Sequence, residues 1–159
     1  MAERWEQDLQ LWGAERDRAV AEMRAQVAAW GLAMPDVEPL VIQFGLGEFR
    51  KTGEIEHWIA NEAVSGYCGK FLFVFDGQTC PYHRHDVKHE TFFVLKGRVR
   101  MVVDGAERVL AEGDTLVMPP GVRHSFTGLG SALLLEVSMP STLNDNFFED
   151  RRIGRNGVI

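Results

Sequence analysis

The chain has 159 residues and a mass of 17.9 kDa, enough for one domain with a sizeable core and too little for a separate cofactor domain. Hydrophobic residues make up 45% and charged residues 25%, which excludes a disordered or fibrous chain. With 17 Lys and Arg against 23 Asp and Glu the net charge is −6, and this balance argues against a nucleic-acid partner, whose phosphates need a basic surface.

The start, MAERWEQDLQ, is charged and lacks the apolar core of a signal peptide. No run of about 18 apolar residues is present to span a membrane. Residues 2–30 read as one amphipathic helix, because Trp5, Leu9, Trp12, Ala19, Met23, Val27 and Trp30 recur every three or four positions. Gly31 suits its stop, and Pro35 follows shortly after. The Trp-rich stripe is expected to pack on the body of the domain or on a partner subunit.

After Pro39 the pattern becomes one of short runs rich in Val, Ile, Phe and Leu, separated by Gly, Asp and Pro. Strands are expected near 40–44, 55–60, 70–75, 81–85, 90–95, 98–103, 107–110, 115–118, 123–127 and 132–138. Asp104-Gly105 between two of them is a hairpin signal. Phe71, Phe73 and Phe75 alternate with Leu72 and Val74, so that strand is apolar on both faces and belongs in the middle of a sheet. Strands this short and this closely spaced predict an antiparallel sandwich or barrel. The tail from Pro140 to Ile159 reads as polar and irregular. The two cysteines, Cys68 and Cys80, are too few for a disulfide framework and read as reduced, packed thiols.

The chemistry concentrates in His83-Arg84-His85, followed by Glu90. Residues two apart on a strand share a face, so His83 and His85 can present two imidazole nitrogens to one metal ion. Glu90 joins that face only if a turn or bulge within Asp86–His89 resets the alternation, after which Glu90, Phe92 and Val94 point inward. Pro119-Pro120-Gly121 makes a tight turn, and His124 stands three residues beyond it. A set of three imidazoles and one carboxylate suits Mn²⁺, Fe²⁺, Co²⁺, Ni²⁺ or Zn²⁺ over Mg²⁺ or Ca²⁺.

The full spacing is Gly77-x5-His83-x-His85-x4-Glu90-x6-Gly97, then Gly113-x5-Pro119-x-Gly121-x2-His124. Both segments match the two signature motifs of the cupins, and the chain resembles a cupin over residues 77–124, with the strand pattern extending the likeness from about 40 to 138. One position departs: the asparagine that usually closes the second motif is Gly128. The resemblance implies a mainly β fold, a single double-stranded β-helix or jelly-roll barrel with a metal inside its mouth. Residues 1–35 would be a helical extension and 36–159 the barrel with its tail.

Within the cupins, Lys88 between His85 and Glu90, the strand end Leu135-Glu136-Val137-Ser138, and more loosely Asp145, Asn146 and Phe148 are similar to the D-lyxose isomerases. That likeness implies metal ligands at His83, His85, Glu90 and His124, and residues acting on the substrate at Lys88 and Glu136. It implies an enzyme loaded with manganese first, or with iron, cobalt, nickel or zinc; the charged start and the lack of a span make the cytoplasm the expected location, and the likeness with the Trp-rich stripe a homodimer. The monosaccharide would pass between aldose and ketose through an enediol, as D-lyxose to D-xylulose or D-mannose to D-fructose. Such a reaction needs a Lewis acid for the oxygens and an acid–base pair for the carbons. Glu136 is the candidate base, expected in apolar surroundings that raise its pKa. Lys88 is expected to donate a proton or hold a hydroxyl. An Fe(II) cupin dioxygenase and a non-enzymatic metal- or sugar-binding cupin are the alternatives. His57, His89 and the cluster Arg151, Arg152 and Arg155 read as packed, exposed and solvated residues respectively. Gly45-Leu46-Gly47 lacks the third glycine of a dinucleotide loop.

Overall fold

Each apolar run after Pro39 forms a strand, and the strands close on one another as two facing sheets. A computed structural model describes residues 4–159, with side chains from Glu6 onward. Two helices, α1 (Arg4–Asp8) and α2 (Gly13–Ala29), precede eleven strands. The strands are β1 (Leu40–Ile42), β2 (Glu54–Glu62), β3 (Tyr67–Val74), β4 (Thr79–Arg84), β5 (Glu90–Lys96), β6 (Arg98–Val103), β7 (Ala106–Ala111), β8 (Thr115–Met118), β9 (His124–Gly128), β10 (Ala132–Ser138) and β11 (Phe147–Phe148). One sheet has the order β1-β2-β3-β10-β5-β8 and the other β11-β4-β9-β6-β7, with antiparallel pairing throughout the named strands. The Asp104-Gly105 hairpin forms as expected, both residues taking positive φ (45° and 82°), which two-residue turns of the type I′ kind require.

The core lies between the sheets. Leu72, Val74, Phe92, Val94 and Leu134 from one meet Cys80, Val99, Met101, Leu110 and Phe126 from the other. The outer face of the six-stranded sheet carries a second core, in which Ala19, Val20, Met23 and Val27 of α2 cover Ile55, Phe73 and Leu133. Thus β3 is apolar on both faces and lies inside its sheet, as its sequence predicts.

Two sequence readings change. The helix expected over 2–30 is broken between Leu9 and Trp12. There the backbone turns aside to pair with β1, Gln10 bridging to Ile42 and Leu11 N–H donating to the Val41 carbonyl at 2.8 Å. Gly13, at φ 70°, starts the chain into α2. The tryptophan stripe therefore does not exist as such. Trp12 is 61% exposed, while Trp30 lies half-buried against Phe73. Residues 2–3 and the Trp5 side chain lie outside the described residues.

The second change is the tail. It is fixed to the barrel, with β11 pairing to β4, Ile153 fully buried, and Asn146 and Ile159 exchanging backbone hydrogen bonds at 3.0 and 3.1 Å. Gly128, the departure in the second motif, sits where a Cβ would come within 2.3 Å of the Phe75 carbonyl oxygen, so no side chain fits. No helix among the described residues is long and apolar enough to cross a membrane.

Candidate metal centre and acid–base cluster

The centre begins at the end of β4. His83 stands on the strand and His85 just beyond it, and the chain turns through Asp86–His89 before β5 starts at Glu90. The turn resets the alternation as expected, burying Glu90, Phe92 and Val94 together. It is held by Asp145, whose carboxylate accepts the backbone N–H groups of Asp86, Val87 and Lys88 at 2.9, 3.0 and 2.9 Å. The Pro-Pro-Gly turn delivers His124 at the start of β9. Its Gly121 N–H donates to the His85 carbonyl at 2.6 Å, tying the two histidine segments together.

Each ring is oriented from behind. Nδ1 of His83, His85 and His124 lies 2.8, 2.8 and 3.2 Å from the carbonyl oxygens of Pro81, Asp145 and Val122. If each Nδ1 carries the proton, each Nε2 keeps a lone pair, the tautomer that metal-binding histidines use. One ligand atom from each ring lies within 4.8 Å of the other two. The Glu90 carboxylate closes the group, at 3.3 Å from both His85 Nε2 and His124 Nε2.

His85 Nε2, His124 Nε2 and Glu90 Oε2 are buried without a hydrogen-bond partner. Buried polar atoms are rarely left orphaned, and three converging on one point fit a divalent cation. Burial, then the neighbouring His124 and His85, holds the His83 imidazole well below its usual pKa and therefore neutral. Burial alone would raise the Glu90 carboxyl. The close approach of His124 and His85, together with the Lys88 charge, outweighs it and keeps Glu90 well below the usual range. The site thus sets three imidazole nitrogens against one carboxylate.

Register builds the rest. On the inner face of the six-stranded sheet, Trp58, Lys70, Glu136 and Phe92 lie in one cross-strand row, while Ser138 stands opposite Glu90. Lys88 Nζ reaches Glu90 Oε1 at 2.6 Å, Glu136 Oε1 at 2.8 Å and Ser141 Oγ at 3.2 Å. Glu136 also accepts from Ser138 Oγ at 2.8 Å and lies 3.6 Å from Lys70 Nζ. Lys70 is anchored in turn by Glu56 at 2.6 Å, and Glu56 by the Trp58 indole N–H at 2.9 Å.

Both lysines keep their charge. For Lys70, burial is outweighed by Glu136, Glu56 and Glu54; for Lys88, burial and Lys70 are outweighed by Glu136 and Glu90. Lys88 and Glu136 are therefore buried rather than solvated, at 5% and 2% exposure. The apolar surroundings expected for Glu136 are corrected: two ammonium groups and a hydroxyl face its carboxylate.

These groups line one cavity of about 300 Å³, at the small end of the roughly 300–1,000 Å³ typical of ligand pockets. Leu9 and Gln10 from the N-terminal segment, and Ser141–Leu143 and Asn146 from the tail, form part of its wall.

Glu54, Glu56 and Lys70 line the cavity too, although nothing in their sequence context singles them out. Their only signal is the spacing Glu54-x-Glu56 at the head of a strand, which reads equally well as a solvated face. Cys80 also changes place. A bulge between Cys80 and His83 puts both on the inner face, where an unbroken strand would oppose them. His57 is buried beneath α2 with neither ring nitrogen paired, and His89 is exposed.

Residues 71–138 match the model of the cupin domain. The D-lyxose ketol-isomerase of Cohnella laeviribosi is 32% identical, the alignment covering 93% of this chain and 95% of that one. The D-lyxose/D-mannose isomerase of Thermosediminibacter oceani is 31% identical over 72% of this chain and 78% of its own. Among solved structures, the L-ribose isomerase of Cellulomonas parahominis superposes with a TM-score of 0.76 over 94% of this chain and 97% of its own, at 17% identity. That likeness carries the fold. With identity above three in ten along nearly the whole length of a relative, the chain is a cupin and belongs to the D-lyxose ketol-isomerase family.

Proposed function

We propose that the protein is a metal-dependent aldose–ketose isomerase acting on a monosaccharide, of the D-lyxose/D-xylulose or D-mannose/D-fructose type. The observation that carries this reading is Glu136, a carboxylate held between Lys88 and Lys70 in the same small cavity as the His₃Glu set. A dioxygenase needs no such acid–base group beside its ligands.

A divalent ion held by His83, His85, His124 and Glu90 would supply Lewis acidity to the substrate oxygens, and manganese is the expected occupant. Glu136 takes the proton from the carbon beside the carbonyl and returns it to the neighbouring carbon, leaving an enediol between the two transfers. Ser138 fixes one oxygen of the Glu136 carboxylate, and Lys70 lies beside the other. Lys88, an ammonium group with three rotatable donors, turns one of them to the substrate oxygen while retaining Glu136. We further propose a cytoplasmic homodimer.

The test is conversion in D₂O. Manganese-loaded protein should interconvert D-lyxose and D-xylulose, or D-mannose and D-fructose, with deuterium entering at the transferred position. Chelation should abolish the conversion and Mn²⁺ restore it. Failure with both pairs, together with O₂ uptake by iron-loaded protein, would overturn the reading.

A further inference from the structure

The cavity has a second polar end, away from the metal ligands, which the chemistry above leaves unused. Glu54 stands there at the head of β2, where the sheet edge turns toward the facing sheet and Gly53 N–H donates to the Thr79 carbonyl at 3.0 Å. That crossing brings the Glu54 carboxyl near the Cys80 thiol, which lines the same cavity. Glu54 is 5% exposed and lines the cavity, and its Oε2 has no partner. Glu56, Glu136 and Glu90 each hold a lysine, and Lys70 and Lys88 are both engaged by them. Glu54 forms no ion pair with either.

A buried carboxyl without a cation is more stable neutral than charged. Burial first, and then Glu56, pushes Glu54 up to about 8, against the smaller opposing pull of Lys70 and Cys80, with Glu136 adding to the rise. A neutral carboxyl is both donor and acceptor, the pair of roles that a hydroxyl complements. Cys80 and His83 stand opposite Phe126 and His124 of β9, two strand residues or roughly 7 Å apart across the bulge. Leu72, Phe92 and Phe126 give the cavity an apolar side as well. A short polyol chain fits this layout: oxygens at the metal end, C–H groups along the wall, and a hydroxyl at the far end.

We propose that Glu54 is a specificity-determining residue, whose carboxyl group hydrogen-bonds a substrate hydroxyl remote from the reacting carbons. The proposal rests on the sugar-isomerase reading and adds to it the far end of the substrate.

The test uses manganese-loaded protein and the reduced sugar D-arabinitol, with binding followed by calorimetry alongside KM and kcat for D-lyxose. Glu54→Leu should weaken D-arabinitol binding and raise KM about tenfold with kcat little changed, the mark of a contact made equally in ground and transition states. Glu54→Gln keeps a neutral donor and should stay within about threefold of wild type. Between about pH 7 and about pH 9 the wild type should lose affinity as the Glu54 proton leaves, and Glu54→Gln should not. Among mono-deoxy aldoses, one lacking a hydroxyl beyond the reacting carbons should lose as much as Glu54→Leu, without the two losses adding.

Unchanged binding in Glu54→Leu overturns the proposal. Should that variant not fold, a Glu54→Gln pH response equal to that of wild type overturns it instead. Wild-type protein that binds neither D-arabinitol nor any aldose overturns the isomerase reading. Wild-type binding that Glu54→Leu leaves intact overturns the role of Glu54 alone.

Discussion

The two faces of the six-stranded sheet are both buried and both carry apolar core, yet only the inner one also buries a cluster of charges at the cavity. On the outer face Phe73 of β3 and Leu133 of β10 meet Met23 and Val27 of α2, hydrocarbon on hydrocarbon. On the inner face the same two strands carry Lys70 and Glu136, 3.6 Å apart and under a tenth exposed. The outer face gains from every apolar group it removes from water, about 1.5–3 kcal/mol for each large side chain. The inner face incurs a desolvation cost for each charge, which ion pairing offsets only while every partner is present. An arrangement that adds so little to stability points to chemistry. The outer face reads as the support that keeps the inner one in register.

The largest effects should come from the inner face, where the comparison is easiest to break. Chelation, or His124→Ala, should abolish isomerisation; metal analysis and circular dichroism separate loss of the ion from loss of fold, since His124 is fully buried beside Phe92. Glu136→Gln should lower kcat by roughly 10²–10⁴, the usual contribution of a positioned acid–base group, while metal content stays at wild-type level. Full activity in this variant would remove Glu136 from the role of base. Next comes Asp145→Ala. It releases three backbone N–H groups of the turn that delivers Lys88, and disturbs the segment whose carbonyl orients His85. A loss of about 10–100-fold in metal affinity or activity is expected, as for other groups that orient a ligand from behind.

The outer face and the grouping of three histidines with Glu90 were the legible parts of the sequence. Hydrophobic period two located the strands, and β3 revealed its two buried faces through an unbroken apolar run from Phe71 to Phe75. Fixed spacing grouped His83, His85, Glu90 and His124 because it records turn lengths, and the turn within Asp86–His89 formed where alternation demanded it. The inner face was less legible for a physical reason. Alternation says which residues share a face, but not whether that face meets water or a polar cavity. Glu54, Glu56 and Lys70 look like solvated strand residues until the barrel closes around them. The break in the N-terminal helix is likewise set by a partner distant in sequence, the pairing of Gln10 with Ile42. Asp145 lies in a tail whose composition suggested no structure, yet its carboxylate anchors the turn that carries Lys88.

The smallest effect on turnover should come from the outer face, and a pair of variants makes the contrast two-sided. Met23→Ala removes a fully buried side chain that touches no cavity residue's charge. It should cost about 2–5 kcal/mol of unfolding free energy in urea or guanidinium and leave kcat and metal content unchanged for the folded fraction. Lys70→Met is the inner-face counterpart. Alone it strands Glu56, which keeps only the Trp58 indole as a donor, and leaves Glu136 with Lys88 as its one cation. Breaking a buried pair from one side costs about 3–5 kcal/mol. Adding Glu56→Leu removes the stranded charge, so most of that stability should return, because replacing both members of a buried pair by apolar groups is often neutral. Activity should not return with it, since Glu136 has still lost one of the two cations that hold it. Recovery of both together would mean that Lys70 serves the fold alone, and the distinction between the two faces would then stop at Glu136.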